Sequence, residues 1–223
     1  MIARATGNAG GPFFMESAMS SAPVFIASCS PRKGGNCDFA SALVERTLPV
    51  PCSVVRVADA NVRPCSSCGV CYSMPGRCTL DGPTVLPSSA NAQLPPKDGA
   101  KALFASMALA PVTFVVTPIY YYHIPAQAKA WVDRTQRFWA LNGDTPAKGK
   151  AMACILIAAR ERGDMLFDGA ERSLRWMAKS LGMEWLEPLR IYGLEHASAL
   201  ADSVEKQADI CSYTARIFGS IPR

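Results

Sequence analysis

The sequence lacks several features that would assign it to a common class of protein. It has no uninterrupted run of about 18 apolar residues, the length that can cross a bilayer, so it predicts no membrane-spanning helix. Its 23 basic and 18 acidic side chains leave a formal charge of only +5 without a long basic run, so nucleic acid is not an expected partner. With two histidines and no Ser-His-Asp or Cys-His pattern on suitable loops, hydrolytic chemistry has little support.

The sequence is instead rich in apolar residues and in cysteine. Apolar residues make up 49% of the 223 residues, enough to bury a full core. Nine cysteines, an odd number, fit a reducing compartment and thiol or metal chemistry better than a disulfide scaffold. Residues 1–22 hold no apolar stretch long enough for a secretory signal, so we expect a mobile N-terminal tail and a cytoplasmic protein.

Short apolar runs alternate with helical patterns from residue 23 onward. Strand-forming runs occur at 24–27, 53–57, 112–116 and 154–158, and a weaker one lies within 184–191. Five strands alternating with helices predict one α/β domain over 23–223, a doubly wound five-stranded parallel sheet with helices on both faces. Two segments interrupt the alternation, a cysteine-rich loop at 62–82 and a proline-containing insertion at 83–99.

The loop after the first strand has the composition of an anion-binding site. It follows a buried run and opens a helix, the place where backbone N–H groups and the helix dipole meet an anion. Ser30, Arg32 and Asn36 add hydroxyl, guanidinium and amide donors, and Gly35 lets the backbone approach a ligand closely. From composition alone, an ordinary polar turn with a helix cap is an equal alternative.

This loop resembles the phosphate loop of the NADPH-dependent FMN reductase-like flavoproteins, whose pattern is G-S-P-R-x-G-G-N-[ST]. Cys29 and Cys37 stand where the family usually has Gly and Thr or Ser. Because a thiol is a weaker donor than a hydroxyl, Cys37 is expected to act mainly through its backbone N–H.

The resemblance continues after the third and fourth strands. The segment after the third strand matches the family's [ST]-P-[VI]-Y-[FY] loop, which runs past the flavin ring, with Thr117, Pro118, Ile119, Tyr120 and Tyr121. The helix that follows fits Q-x-K-x-x-x-D-R. A third cofactor loop is expected at Ala159 and Arg160, where the family commonly has small residues; Arg160 is a candidate partner for the N1–C2=O edge of the flavin.

The resemblance implies a flavodoxin-like fold, bound FMN and NAD(P)H as co-substrate. Electrons would pass from NAD(P)H, or another reduced donor, through FMN to a redox partner protein or a small-molecule acceptor. Since hydride transfer needs alignment more than an acid or a base, no catalytic side chain is expected. Relatives assemble as homodimers or homotetramers. A flavodoxin-like electron carrier is the alternative, although flavodoxins are strongly acidic.

Four cysteines form the motif Cys65-x2-Cys68-x2-Cys71-x6-Cys78. The spacing resembles ferredoxin-type runs that hold a [4Fe–4S] cluster, and it is similar to the motif of the iron–sulfur flavoproteins, a subgroup of the same family. Two alternatives stay open: a zinc site, in a binding protein that has lost its flavin, and metal-free thiols that are inert or form disulfides.

Overall fold

The structure is a computed structural model that describes residues 23–81, 98–141 and 143–221. The tail predicted for 1–22 and most of the insertion predicted for 83–99 lie outside the described residues. In the part that is described, no helix is long and apolar enough to cross a membrane.

Parallel strands form one sheet at the centre of the fold. They are β1 (Val24–Ser28), β2 (Cys52–Arg56), β3 (Val112–Pro118), β4 (Ala151–Ile157), β5 (Glu184–Trp185) and β6 (Leu189–Ile191). The order is β2-β1-β3-β4-β5, and β6 also pairs with β4. β5 and β6 share the fifth position of the predicted sheet and are separated around Pro188, which has no N–H to donate to β4. The predicted five-stranded parallel arrangement is confirmed.

Helices cover both faces of the sheet. They are α1 (Asn36–Thr47), α2 (Val70–Ser73), α3 (Ala100–Leu109), α4 (Ala126–Asp133), α5 (Gln136–Trp139), α6 (Asp168–Leu181) and α7 (Val204–Ser220). α1 and α7 pack on one face, whereas α3, α4 and α6 pack on the other. Successive β1 side chains therefore alternate between two cores, with Val24 and Ile26 in one and Phe25 and Ala27 in the other.

The helical region that follows the loop after β3 is broken in two. α4 ends at Asp133 and α5 begins at Gln136. Between them the chain tightens, because the N–H of Arg134 donates to Trp131 and that of Thr135 to Val132, three residues back in each case. Trp131 and Phe138 are nevertheless both buried in the same core.

The strand order places three connections side by side. β1 is hydrogen-bonded to β2 on one side and to β3 on the other, and β3 is bonded to β4. The direction of winding therefore changes between β1 and β3, which is where open α/β sheets form ligand crevices beyond the carboxyl ends of their strands. The loops that follow β1, β3 and β4 all lie at this edge.

Candidate functional site

Backbone hydrogen bonds join the three edge loops to one another. The N–H of Cys29, the first residue after β1, donates to the carbonyl of Val116 at 2.8 Å. The N–H of Ile119, the first residue after β3, donates to the carbonyl of Ile157 at 2.8 Å. The sequence-predicted segments that begin at 28, 117 and 158 are therefore neighbours in space.

The first loop is already folded into an open turn. Ser30 is buried, and its hydroxyl accepts a hydrogen bond from the N–H of Arg32 at 3.2 Å. Arg32 is exposed, and Gly34 has a φ of 68°, in the region that favours glycine. Gly35 caps α1 without a side-chain hydrogen bond, so the first-turn N–H groups of α1 are left for an anion.

Asn36 and Cys37 have side chains that face the protein. The Asn36 amide donates to the carbonyls of Leu194 and His196 at 3.3 and 2.7 Å, and its oxygen accepts from the N–H of Leu200 at 3.0 Å. Burial, with smaller contributions from neighbouring groups, raises the pKa of the Cys37 thiol, which stays protonated. Both residues can therefore offer a ligand only their backbone N–H groups.

An ion pair between Asp38 and Arg56 contacts the backbone of this loop. Asp38, in the first turn of α1, accepts from the N–H of Gly34 at 2.8 Å and from Nη1 of Arg56 at 2.8 Å. Its other oxygen accepts from the Ser28 hydroxyl at 3.0 Å. Nη2 of Arg56 in turn donates to the carbonyls of Ser30 and Pro31, at 3.3 Å each. We refer to these two side chains as the Asp38–Arg56 pair.

The loop after β3 makes a tight turn over residues 120–123, here called the tyrosine turn. Tyr120 and His123 exchange two backbone hydrogen bonds, at 2.8 and 3.0 Å. The residues between them, Tyr121 and Tyr122, have φ values of 53° and 64°, which non-glycine residues rarely adopt. Thr117, which precedes the turn, is fully buried. The turn exposes tyrosine rings at the expense of backbone strain.

The tyrosine turn rests directly on α6. A Cβ atom added to Gly169 would lie 2.6 Å from the Tyr122 carbonyl oxygen, so only glycine permits this approach. Nε2 of His123 lies 3.0 Å from the Ser173 hydroxyl. The amides of Ile119 and Tyr120 are bonded within the protein, whereas those of Tyr121 and Tyr122 make no such bond among the described residues. The backbone donors that the turn can offer a planar ligand are therefore these two amides.

The loop after β4 completes the edge. Ala159 and Arg160 are exposed, and the Arg160 guanidinium carbon lies 6.0 Å from the centre of the Tyr122 ring, within cation–π range. The carbonyl of Arg160 accepts from the N–H of Gly193 at 2.9 Å. One residue therefore links the loop after β4 to the tyrosine turn and to the segment after β6.

The cysteine motif lies in a cleft beside the end of α4 and the start of α5. All four thiols are free and line one open cleft of about 390 Å³. Cys71 lies on α2, and Cys68 has its sulfur 3.2 Å from the Thr79 hydroxyl. That hydrogen bond, the largest of several contributions, lowers the pKa of the Cys68 thiol.

Buried ion pairs close the base of this cysteine segment. Arg134 is fully buried and donates to Asp98 at 2.7 Å, to Asp81 at 3.0 Å and to the carbonyl of Arg63 at 3.1 Å. Arg137 binds both oxygens of Asp81. Because Arg63 precedes the cysteines and Asp81 follows them, Arg134 holds together the two ends of the segment.

Comparison with known proteins agrees with this architecture. The sequence profile described as "flavodoxin-like fold" matches residues 78–213, which is more than half of the chain. The chain belongs to the flavodoxin-like fold family. This confirms the predicted relationship to the NADPH-dependent FMN reductase-like flavoproteins. The match begins beyond the first loop, whose assignment rests on its own sequence pattern and geometry.

Solved structures with the same fold include several reductases. An NADH:FMN oxidoreductase in its apo form is 16% identical, with a TM-score of 0.56 and 90% of each chain covered. A flavone reductase is 12% identical, with a TM-score of 0.61; 90% of this chain and 65% of that chain are covered. An azoreductase from Bacillus anthracis is 10% identical, with a TM-score of 0.55 and coverages of 88% and 98%. No curated protein sequence matches the chain significantly.

The residues present fit a flavin phosphate better than they fit a metal cluster. The first-turn N–H groups of α1 and the exposed Arg32 form a donor set suited to phosphate. The buried Ser30 hydroxyl donates to the carbonyl of Arg32 at 3.3 Å and would join this set by turning away from that carbonyl. In contrast, no group of three or more His, Cys, Asp or Glu side chains within the described ranges is arranged to hold a metal ion. The four thiols share a cleft but do not converge on one point, so the predicted cluster stays a prediction.

Sequence reasoning missed the polar groups that fix these loops. The Asp38–Arg56 pair joins α1 to the end of β2, and Asp98 reaches Arg134 from the start of α3. Asp98 had one local signal, since an Asp just before a helix commonly binds a first-turn N–H, here that of Ala100 at 3.0 Å. Arg56 had none, because its position in a strand does not show which way its side chain turns.

Proposed function

We propose that this protein is an FMN-dependent oxidoreductase that uses NAD(P)H, or another reduced donor, and passes electrons to a partner protein or a small-molecule acceptor. The observation that carries the proposal is the joining of three loops at the carboxyl edge of the sheet, with a donor-rich turn at one end and exposed tyrosines at the other. Bound FMN would supply hydride acceptance at N5 and release of electrons one or two at a time.

The chain's own residues would bind and orient the flavin. Arg32, the Ser30 hydroxyl and the first-turn N–H groups from Gly35 to Cys37 would hold the phosphate, with Asn36 fixing α1 to the segment after β6. Tyr120, Tyr121 and the Pro118–Ile119 segment would form the wall beside the ring, with Ala159 opposite. Arg160, whose guanidinium lies 6.0 Å from the Tyr122 ring, would favour an anionic form of the reduced ring.

An absorption spectrum followed by a turnover assay tests the proposal. The anaerobically purified protein, or apoprotein titrated with FMN, should show flavin bands and bind FMN in a one-to-one ratio. NADH or NADPH added to the holoprotein should then bleach those bands, and an acceptor such as a quinone should restore them. A protein that binds no FMN contradicts the proposal, and FMN binding without reduction by either nucleotide favours the electron carrier.

The predicted [4Fe–4S] cluster is a separate and finer proposal. Its support is the cysteine spacing and the shared cleft, which Arg77 also lines. The thiols of the described residues do not converge as a ligand set, so the proposed electron transfer from donor to acceptor does not depend on this site. Zinc, or thiols without metal, would suit the same cleft.

The cluster proposal is tested by metal content. Protein reconstituted with iron and sulfide in the absence of oxygen should hold both elements, and Cys71→Ser should lose them together, since each thiolate orders the same loop. FMN should be largely retained in this variant because the phosphate loop lies on a different strand. Binding of zinc, or of no metal, by the wild-type protein would contradict the cluster, and loss of FMN would show that the two sites depend on each other.

Self-association is the remaining part of the proposal. Trp139 and Trp176 are both about half exposed, and their rings contact each other between α5 and α6. Such aromatic surface is enriched where subunits meet. We therefore propose a homodimer or homotetramer, which light scattering at micromolar concentration would show; a monomer would contradict it.

A further inference from the structure

The first loop has few packing contacts of its own. Residues 31–34 are exposed. Gly34 adopts a left-handed conformation, and its backbone is freer than that of other residues because glycine has no Cβ atom. Even so, the loop forms one defined turn with the Arg32 side chain exposed. Something other than hydrophobic burial must therefore hold it.

The Asp38–Arg56 pair supplies that hold from behind the loop. Arg56 donates to two loop carbonyls, those of Ser30 and Pro31, and Asp38 accepts the N–H of Gly34. The pair thus grips three loop residues through their backbone atoms. Both side chains are largely buried, and each binds the other as well as the loop.

We propose that Asp38 and Arg56 are positioning residues that keep the phosphate loop in its binding shape before the ligand arrives. The inference rests on the proposed FMN site, which it deepens. Neither side chain is expected to touch the phosphate, because their polar atoms are directed at each other, at Ser28 and at the loop backbone. The negative charge of Asp38 is balanced by Arg56 at 2.8 Å, so it does not repel a phosphate as an isolated carboxylate would.

A pre-formed loop lowers the ordering cost of binding, and that cost applies only to ligands that use the loop. FMN and riboflavin share the same ring and differ by the phosphate. Loosening the loop should therefore weaken the binding of FMN and leave the binding of riboflavin unchanged. A variant that merely damaged the fold would weaken the binding of both flavins.

The test is titration of apoprotein with FMN and with riboflavin, using wild type and Asp38→Asn, which keeps the side-chain shape and removes the charge. We expect Asp38→Asn to raise the Kd for FMN by about tenfold and the Kd for riboflavin by less than about twofold. Asp59→Asn is the matched control. Asp59 pairs with the same arginine at 3.3 Å and with the exposed Lys33 side chain at 4.0 Å, but it is half-exposed and binds no backbone atom of the loop. It should leave both Kd values near those of wild type.

The outcomes separate this inference from the function on which it rests. Wild-type protein that binds neither flavin overturns the proposed function and this inference together. Wild-type binding of FMN with an unchanged or lower Kd in Asp38→Asn overturns the inference alone, as does an equal loss of affinity for both flavins. If Asp38→Asn does not fold, Arg56→Lys takes its place. Lysine keeps the charge but cannot reach both carbonyls and Asp38 at once, and the same selective loss for FMN is expected.

Discussion

The carboxylates of Asp81 and Asp98 bind the same guanidinium group, that of Arg134, although the segment 82–97 separates them in the chain. Arg134 is the C-cap residue of α4, the helix that follows the tyrosine turn. The cysteine-rich loop, the start of α3 and the helix after the tyrosine turn therefore meet at one buried charge. Its removal should affect the whole protein rather than one loop.

Arg134→Met should lower the free energy of unfolding by about 3–5 kcal/mol, because the buried Asp98 would lose its closest charged partner and keep only Arg63, at 3.5 Å. Urea unfolding followed by circular dichroism measures the loss. The matched control is Lys129→Met, which breaks an exposed pair with Asp133 on α4 and should cost less than about 1 kcal/mol. Similar losses of unfolding free energy in the two variants would show that burial does not increase the contribution of the Arg134 ion pairs to stability.

The same site predicts a loss of stability in acid. Burial alone would raise the pKa of Asp98, but hydrogen bonds from Arg134 and from the N–H groups of Arg63 and Ala100 outweigh burial and lower that pKa. The stabilisation is therefore complete well above the ordinary Asp pKa of about 3.9 and falls as the pH drops through the folded-state pKa.

Unfolding curves of wild type and Asp98→Asn between pH 6 and pH 3 test this sign. Asp98→Asn should be less stable at pH 6, and the difference should narrow below about pH 4. A difference that stays constant over the whole range would show that the ionised form of Asp98 is not what stabilises the fold.

The agreement between sequence and structure is best for features that depend on neighbours in the chain. The four longer strands were predicted because their apolar runs are local, and the break at Pro188 follows from one residue. The roles of Asn36 and Arg134 could not be predicted. Asn36 binds carbonyls about 160 residues away, and Arg134 meets acids 36 and 53 residues away. No local spacing rule connects such positions.

The tyrosine turn should be strained. Tyr121 has a positive φ and a fully exposed side chain, so replacing it removes strain without removing packing. We expect Tyr121→Asn to raise the free energy of unfolding by about 1 kcal/mol, since Asn tolerates this conformation better. Tyr120→Asn, at a neighbouring position without a positive φ, should give no gain. Equal effects at both positions would show that the φ of Tyr121 stores no strain.

Arg32 should contribute to phosphate affinity through a charge-assisted contact. Arg32→Ala should weaken FMN binding by about 1.5–3 kcal/mol, measured by titration of apoprotein. Lys33→Ala removes an adjacent, exposed positive charge and should have a smaller effect. If the two variants lose the same affinity, the loop attracts FMN by general charge, and Arg32 makes no specific contact.

The contact of Arg160 with Tyr122, together with its hydrogen bond to Gly193, has a consequence for native-state fluctuations. Backbone hydrogen bonds also join the three segments, since Ile119 donates to Ile157, and Ala158 is bonded to Ile191 and Leu194. The tyrosine turn, the loop after β4 and the segment after β6 should therefore open as one cooperative unit, in which the hydrogen-bonded amides share one free energy of opening in hydrogen exchange. Access to the ring site would then be governed by a single opening equilibrium shared by three segments.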